Sequence, residues 1–498
     1  MNLSKSKYVT GLQCPKILWM DMNMPEQFDD SVRDEARMEV GLQVGVVARG
    51  YFGSYEEVPY SPDKAAMIAE TQRLIVGGSD VIAEASFSFN GNFCSVDILR
   101  KTARGYELIE VKGSTGYADD SPDKIKEDYI DDMAYQFYVL SNSGLRPKKV
   151  SVMRLNKEYV RQGELDIQSL FTLTDCTEQA INKQASIPEN IAHIKGVAGQ
   201  SDEPDFEIST GCMDCGYKGW CMRKLPEHNV FAIKWRLSSR IKNEAYSNGI
   251  VSFQDVLNGG VMLNEKQRRQ VETVVNNLSP HINKAAIRSF LSRVKYPLYH
   301  LDFETYQQAI PLWDDVSPYN QIPFQYSLHI QDKPCGETVH KEFLGKEGVD
   351  PRRELSERLI NDIPADACVM AYYMSFEKSQ IRGLAGLFPD LSNHLMSIHD
   401  NMIDLAEPFG SGAYYCRGMG GSFSIKFVLP AMCPGDPELD YGSLKLVQSG
   451  GDAMTAYATL HEKSPEEISE IRAALLAYCK LDTLAMVKIL EKLYEVVE

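Results

Sequence analysis

Between Tyr296 and Tyr306 the chain reads YPLYHLDFETY. Pro297, Leu298, Tyr299 and Leu301 are apolar or β-compatible without helical spacing, so a buried strand is expected. Near its end sit Asp302 and Glu304. Residues two apart on a strand share a face and lie about 7 Å apart along it. Two carboxylates on one face of a buried strand repel each other and lose hydration. A divalent cation relieves both costs, and Mg²⁺ or Mn²⁺ prefers such oxygen ligands. D-x-E alone is common, and two solvated acids at a strand end would read the same way.

The length of 498 residues leaves room for two to four domains. A hydrophobic content of 44% with 24% charged residues is that of an ordinary soluble globular chain. The polar opening MNLSKSKYVTGLQCPK and the lack of an 18-residue apolar run point to the cytoplasm and to no membrane partner. A net charge of −17 excludes a globally basic nucleic-acid surface. It leaves open a local groove beside carboxylate-held metal. Eleven cysteines, irregularly spread, argue against disulfide scaffolding and for reading clustered cysteines as metal ligands.

In the first half, residues 31–53 read as an amphipathic helix with Val40, Val44 and Val47 on one side. Residues 81–112 read as a meander, VIAEASFSF, NFCSVDILRK and YELIEVKGS, with Asn90-Gly91 and Arg104-Gly105 as turns. Asp97 lies in the second strand, and Glu110 and Lys112 share a face of the third. Two acids from neighbouring strands can hold a cation while the adjacent ammonium orients the attacking water. A surface ion pair is the plainer alternative. Residues 127–143 form an aromatic-rich helix carrying Gln136, and 148–160 return as a strand. TGCMDCGYKGWCMR then places Cys212, Cys215 and Cys221 within ten residues. Three thiolates are one short of a tetrahedral set, and Cys14 is the candidate fourth.

One N-terminal cysteine, D…ExK and three C-terminal cysteines resemble the RecB-like PD-(D/E)xK nucleases with a cysteine-clamped 4Fe–4S cluster, including those of CRISPR adaptation. The resemblance implies that Asp97, Glu110, Lys112 and Gln136 are catalytic, that Asp97 and Glu110 hold metal, and that the cluster staples the domain ends. Structural zinc is the alternative for the same thiolates. The chain departs from that family in placing Gly45 where the early helix often has histidine. It also has Leu140 four residues after Gln136, where tyrosine is usual.

Residues 223–292 read as a helical connector. LSSRIKNEAYSNGIVSFQDVLNGG resembles a degenerate helix-hairpin-helix, and Lys266, Arg268 and Arg269 read as a solvated helix face rather than a phosphate contact.

In the second half, 324–330 read as an antiparallel strand, 351–363 as a helix, and ACVMAYY as a buried strand leading to Glu377 at a helix start. LLAYCKLDTLAMVKIL is a helix that puts Tyr478 and Asp482 on one face. D-x-E, a later acid and Y-x-x-x-D resemble the DEDDy subgroup of DnaQ-like 3′–5′ exonucleases, of RNase H-like fold. That resemblance implies that Asp302, Glu304, Glu377 and Asp482 hold two divalent cations and that Tyr478 positions water. YYMSFE departs from the usual N-x-x-F-D, with Tyr373 at the asparagine and Glu377 at the aspartate.

The expected architecture is therefore α/β. A PD-(D/E)xK domain with its cysteine centre spans 1–222, the connector 223–292, and an RNase H-like mixed sheet 293–498. YPLYHLDFET, AYYMSFEK, GSFSIK and LLAYCKLDT resemble a bacterial family of unknown function that joins two such domains. It implies a nuclease acting on nucleic acid, DNA ahead of RNA, in repair or defence. A binding or scaffold protein with inert nuclease folds is the competing reading. A redox metalloprotein would leave D-x-E…Y-x-x-x-D unexplained.

Overall fold

The computed structural model describes residues 2–117 and 121–498. It is a mixed α/β chain in two compact units. One takes the chain up to Arg223 together with Ala309–Tyr319, and the other takes Lys224–Gln308 and Asn320–Glu498. The stretch read as a connector thus belongs to the second unit from Lys224 onward.

The first unit is built on a seven-stranded sheet of β1 (Leu3–Ser4), β2 (Glu56–Glu57), β3 (Val81–Phe89), β4 (Asn92–Thr102), β5 (Gly105–Gly116), β6 (Lys149–Asn156) and β7 (Phe171–Asp175). The order is β2-β3-β4-β5-β6-β7, with β1 beside β4. The meander is present. Asn90 and Gly91 both take positive φ, 47° and 72°, the left-handed pair that a tight hairpin with strand-matching twist requires. Its helices include α1 (Lys5–Gln13), α2 (Pro15–Asn23), α3 (Glu35–Arg49), α4 (Lys64–Gly77) and α5 (Glu127–Asn142). The α5 segment joins β5 to its parallel neighbour β6. Leu3, Tyr8, Phe87, Tyr135 and Leu140 pack in one core, and Val44 and Ala48 of α3 pack with Ile98, Ile109 and Met153 in another. Apolar side chains alternating along the strands feed both cores, so helices cover the sheet on two faces.

The second unit has a five-stranded sheet of β9 (Leu298–Tyr306), β10 (Ile322–Gln331), β11 (Thr338–Leu344), β12 (Cys368–Ala371) and β13 (Met402–Asp404), ordered β11-β10-β9-β12-β13. A separate ribbon pairs β8 (His281–Ile282) with β14 (Tyr414–Tyr415). β9 pairs antiparallel with β10 and parallel with β12, so it is the central strand, as its apolar run requires. Helices α6 (Arg352–Asp362), α7 (Ser375–Leu387), α8 (Ile425–Met432) and α9 (Pro465–Glu495) follow. α9 starts on a capping box between Ser464 and Glu467 with proline at its first position, an arrangement that satisfies the free N–H groups of a helix start. Its buried face carries Leu475, Tyr478, Asp482 and Met486.

The basic cluster of the former connector is largely held within this unit. Lys266 donates to the Gly410 carbonyl and Arg269 to the Gly412 carbonyl at 2.6 Å, while Arg268 faces Glu272 at 3.7 Å. Among the described residues, no helix is long and apolar enough to cross a membrane.

Candidate metal centres

In the second unit four acids from three separate segments meet. Asp302 and Glu304 project from β9, Glu377 from the first turn of α7 and Asp482 from α9. Burial pushes the Asp302 carboxyl well up from its usual range, and Asp482, Glu304 and Glu377 push it the same way. Burial, then Asp482 and Glu377, raise Glu304 to about 8 against a partial offset from Lys426. Burial raises Glu377 to about 8; its own backbone N–H opposes this, and Asp404 adds to it. Asp482 reaches about 6, since burial is countered by the Tyr441 hydroxyl, Lys426 and the Tyr478 hydroxyl. Glu377 Oε2 is buried without a hydrogen-bond partner. Ligand atoms of Asp302, Glu304 and Cys479 lie within 4.8 Å of one another. Oxygen donors that repel one another, with one buried oxygen unpartnered, fit a divalent cation.

Tyr478 stands one helical turn before Asp482, and its phenol is held protonated by burial and by Asp482, Glu304 and Asp302. Three further groups at the site were not singled out for roles from the sequence. The Tyr441 hydroxyl donates to Asp482 Oδ1 at 2.5 Å. Lys426 lies 5.5 Å from the Tyr441 ring centre and 5.6 Å from that of Tyr478. The Cys479 thiol approaches Asp302 Oδ2 at 3.7 Å. Cys479 could have been read from its place between Tyr478 and Asp482. The arrival of Tyr441 leaves no local trace in the sequence.

Glu377 is aimed by the turn before it. Tyr373 takes a left-handed φ of 63°, costly for an aromatic residue. The Asp404 carboxylate holds that turn, accepting from the Tyr373 N–H at 3.0 Å and the Ala406 N–H at 2.9 Å.

In the first unit, Asp97, Glu110, Lys112 and Gln136 also come together, with Asp132 and Lys5 added. The β4–β5 ladder runs from Thr102↔Gly105 to Ile98↔Ile109, and at its end Asp97 Oδ2 accepts the Val111 N–H at 2.7 Å. Lys112 Nζ bonds Glu110 Oε1 at 2.8 Å and Asp132 Oδ2 at 2.7 Å. The Gln136 amide bonds Glu110 Oε2 at 2.6 Å and Asp132 Oδ1 at 3.0 Å. Burial opposes ionisation of Glu110, but Lys112 and Lys5 outweigh it and hold its carboxyl well below the usual range. Burial and Glu110 push Asp97 up to about 7. The space expected to take a cation between Asp97 and Glu110 is met by the Lys5 ammonium, so in this arrangement the residues do not fit a divalent metal. Asp132, four residues before Gln136 on α5, was legible as a same-face neighbour; Lys5, far off in sequence, was not.

Cys14, Cys212, Cys215 and Cys221 come within electrostatic reach of one another. Burial raises the thiols of Cys14, Cys215 and Cys221, and their cysteine neighbours add to it. Tetrahedral zinc with bonds of about 2.3 Å would bring thiolate sulfurs to about 3.8 Å apart. Among the described residues, no three of these sulfurs lie within 4.8 Å of one another. Trp19, Met20 and Tyr217 pack beside them with Phe28 and Trp220. A Cβ on Gly216 would come within 2.3 Å of the Phe28 ring, so the chain between Cys215 and Tyr217 needs glycine.

A domain of unknown function (DUF2779) matches residues 299–424, a span that includes Asp302, Glu304 and Glu377 but neither Tyr478 nor Asp482. The chain is similar to the Uncharacterized protein MG366 homolog of Mycoplasma pneumoniae, 25% identical over 220 residues, 41% of this chain and 33% of that protein. It is also similar to Uncharacterized protein MG366 of Mycoplasma genitalium, 26% identical over 217 residues, 40% of this chain and 32% of that protein. The chain thus matches about a third of the length of these curated relatives. No solved structure matches it.

Proposed function

We propose that the chain is a metal-dependent nuclease whose second unit, RNase H-like and of DEDDy type, hydrolyses phosphodiester bonds as a 3′–5′ exonuclease. The observation that carries the reading is the convergence of Asp302, Glu304, Glu377 and Asp482, with burial pushing up all four carboxyls and neighbouring acids of the set adding to it at Asp302 and Glu304. A buried, costly set of carboxylates suits a site that takes divalent cations. Asp302, Glu304, Glu377 and Asp482 would hold Mg²⁺ or Mn²⁺, which when bound activates water and offsets charge on the scissile phosphate.

The side chains divide the remaining work. Tyr478 keeps its proton, so its hydroxyl can hold Asp482 and orient a water without acting as a base. Tyr441 secures the other side of Asp482. Lys426 places a positive charge beside Glu304 and Asp482, where it can meet a phosphate oxygen. Tyr373 and Phe376, on the turn that delivers Glu377, are exposed, and exposed rings at such a place support stacking of a terminal base.

In this reading the first unit is a PD-(D/E)xK fold that contacts nucleic acid, DNA ahead of RNA. Its Cys14, Cys212, Cys215 and Cys221 would hold a 4Fe–4S cluster, as the family resemblance implies, with zinc as the alternative for the same thiolates. The compartment is the cytoplasm, where thiols stay reduced. All eleven cysteines are free.

End-labelled single- and double-stranded DNA and RNA, incubated with Mg²⁺ or Mn²⁺, test the proposal. Shortening from the 3′ end is expected, reduced by about 10²-fold or more in Asp302→Asn. Tyr478→Phe should slow turnover with metal affinity retained. Undiminished activity in Asp302→Asn would refute the assignment.

A further inference from the structure

The two carboxylate clusters differ in one respect that bears on which of them can take metal. In the second unit the acids repel one another and Glu377 Oε2 has no partner. In the first, each carboxylate oxygen of Asp97, Glu110 and Asp132 already accepts from the protein. Lys5 supplies the central part of that satisfaction. Its Nζ lies 3.2 Å from Asp97 Oδ1 and 3.1 and 3.0 Å from the two oxygens of Glu110. An ammonium has three donors, and here three carboxylate oxygens lie around it.

We propose that Lys5 is a built-in cation that takes the place of a divalent metal ion between Asp97 and Glu110, so that this pair binds no metal while Lys5 is in place.

The charge supports this. Two ammoniums, Lys5 and Lys112, face three carboxylates, Asp97, Glu110 and Asp132, which leaves a formal charge of −1. A divalent ion added to this set would make it positive and would have to take Glu110 from both lysines. Mg²⁺ demands near-octahedral oxygen ligation and gives up its water reluctantly. Oxygens already bonded to fixed donors offer it little in return.

The backbone keeps Lys5 there. The two residues before it form β1, in parallel register with Asn92 and Phe93 of β4. The Leu3 N–H donates to the Gly91 carbonyl at 2.9 Å, and the Tyr135 hydroxyl donates to the Leu3 carbonyl at 2.6 Å. Ser4 caps α1 by accepting from the Lys7 N–H. Leu3 and Tyr8, on either side of Lys5, are fully buried. The ammonium is therefore delivered to the sheet by an anchored strand-to-helix junction.

This inference does not rest on nuclease activity of the second unit, and its test removes two of that unit's four acids. Mn²⁺ binding is counted by electron paramagnetic resonance on the full chain carrying Asp302→Asn and Asp482→Asn. With Lys5 present, no Mn²⁺ sensitive to Glu110→Gln should bind. Adding Lys5→Met should create one Mn²⁺ site per chain, which Glu110→Gln then abolishes. Lys5→Arg, which keeps the charge, should create none. One bound Mn²⁺ in the Lys5 chain that disappears with Glu110→Gln would overturn the proposal. So would a folded Lys5→Met chain, checked by circular dichroism, that gains no site. Should Lys5→Met not fold, the pair with and without Glu110→Gln in the Lys5 chain decides alone.

Discussion

Glu304→Gln should stabilise the metal-free protein. Glu304 is 8% exposed, and its carboxyl is raised from 4.5 to about 8 by burial, Asp482 and Glu377. Between those values the folded state binds more protons than the unfolded state, so stability falls as pH rises. The penalty is absent below pH 4.5, grows from there, and is complete above about pH 8. At pH 7 the interval crossed is about 2.5 units, and at about 1.4 kcal/mol per unit the cost is about 3 kcal/mol. The amide has a similar shape and no charge, so the variant escapes that cost and also relieves Asp302 and Asp482. For a unit of this size the gain corresponds to a rise in Tm on the order of 6–12 °C. Calorimetric melts of both proteins in EDTA at pH 7 and pH 5 measure it, and the gap should nearly close at pH 5. Saturating Mn²⁺ should narrow the gap at pH 7, because a ligand at a hundredfold excess over Kd adds about 3 kcal/mol, mainly to the protein with its full carboxylate set. A gap that is the same at both pH values, or a lower Tm for Glu304→Gln in EDTA at pH 7, would refute the reasoning.

Tyr441→Phe removes the 2.5 Å hydrogen bond to Asp482 and so raises the Asp482 carboxyl above its present value of about 6. The acid limb of the activity–pH profile should move to higher pH, with a loss of about 1–3 kcal/mol of carboxylate stabilisation; an unmoved limb would separate Asp482 from the reaction. Anaerobically purified protein should contain iron and sulfide, and Cys14→Ser should lose both and melt earlier, since metal binding and folding are coupled. Zinc without iron would identify the alternative centre. Gly216→Ala, which sets a Cβ against the Phe28 ring, should weaken the same centre without removing a ligand, measured as lower iron content at equal protein.

Much of this organisation is legible along the chain because local periodicity records which face a side chain takes. The apolar run of YPLYHLDFETY marks a buried strand, and it is the central one, β9. Two-residue spacing places Asp302 with Glu304, and four-residue spacing places Tyr478 with Asp482. Asn90-Gly91 marks the β3–β4 hairpin, because few dipeptides accept two positive φ values in succession, and Arg104-Gly105 marks the β4–β5 hairpin that sets Asp97 near Glu110. Cys212, Cys215 and Cys221 stand out by spacing, whereas Cys14 joins them only as a candidate fourth ligand.

Periodicity does not record which faces will meet. Lys5 reaches Asp97 and Glu110 across 92 and 105 residues, and nothing in SKSKYV announces it. A run that reads as a polar N-terminus becomes an anchored junction only because β1 pairs with β4. Tyr441 meets Asp482 across 41 residues, and Lys426 joins them from α8. The segment Ala309–Tyr319 is compact with the first unit although it lies between two strands of the second, a placement that no local pattern encodes. Residue types and spacings thus identify the four acids of the second cluster and Asp97 and Glu110 of the first, but do not single out Asp132. Whether a cluster is already neutralised by lysine or left repelling depends on which distant side chains the packed fold brings to it, because charge compensation acts through space.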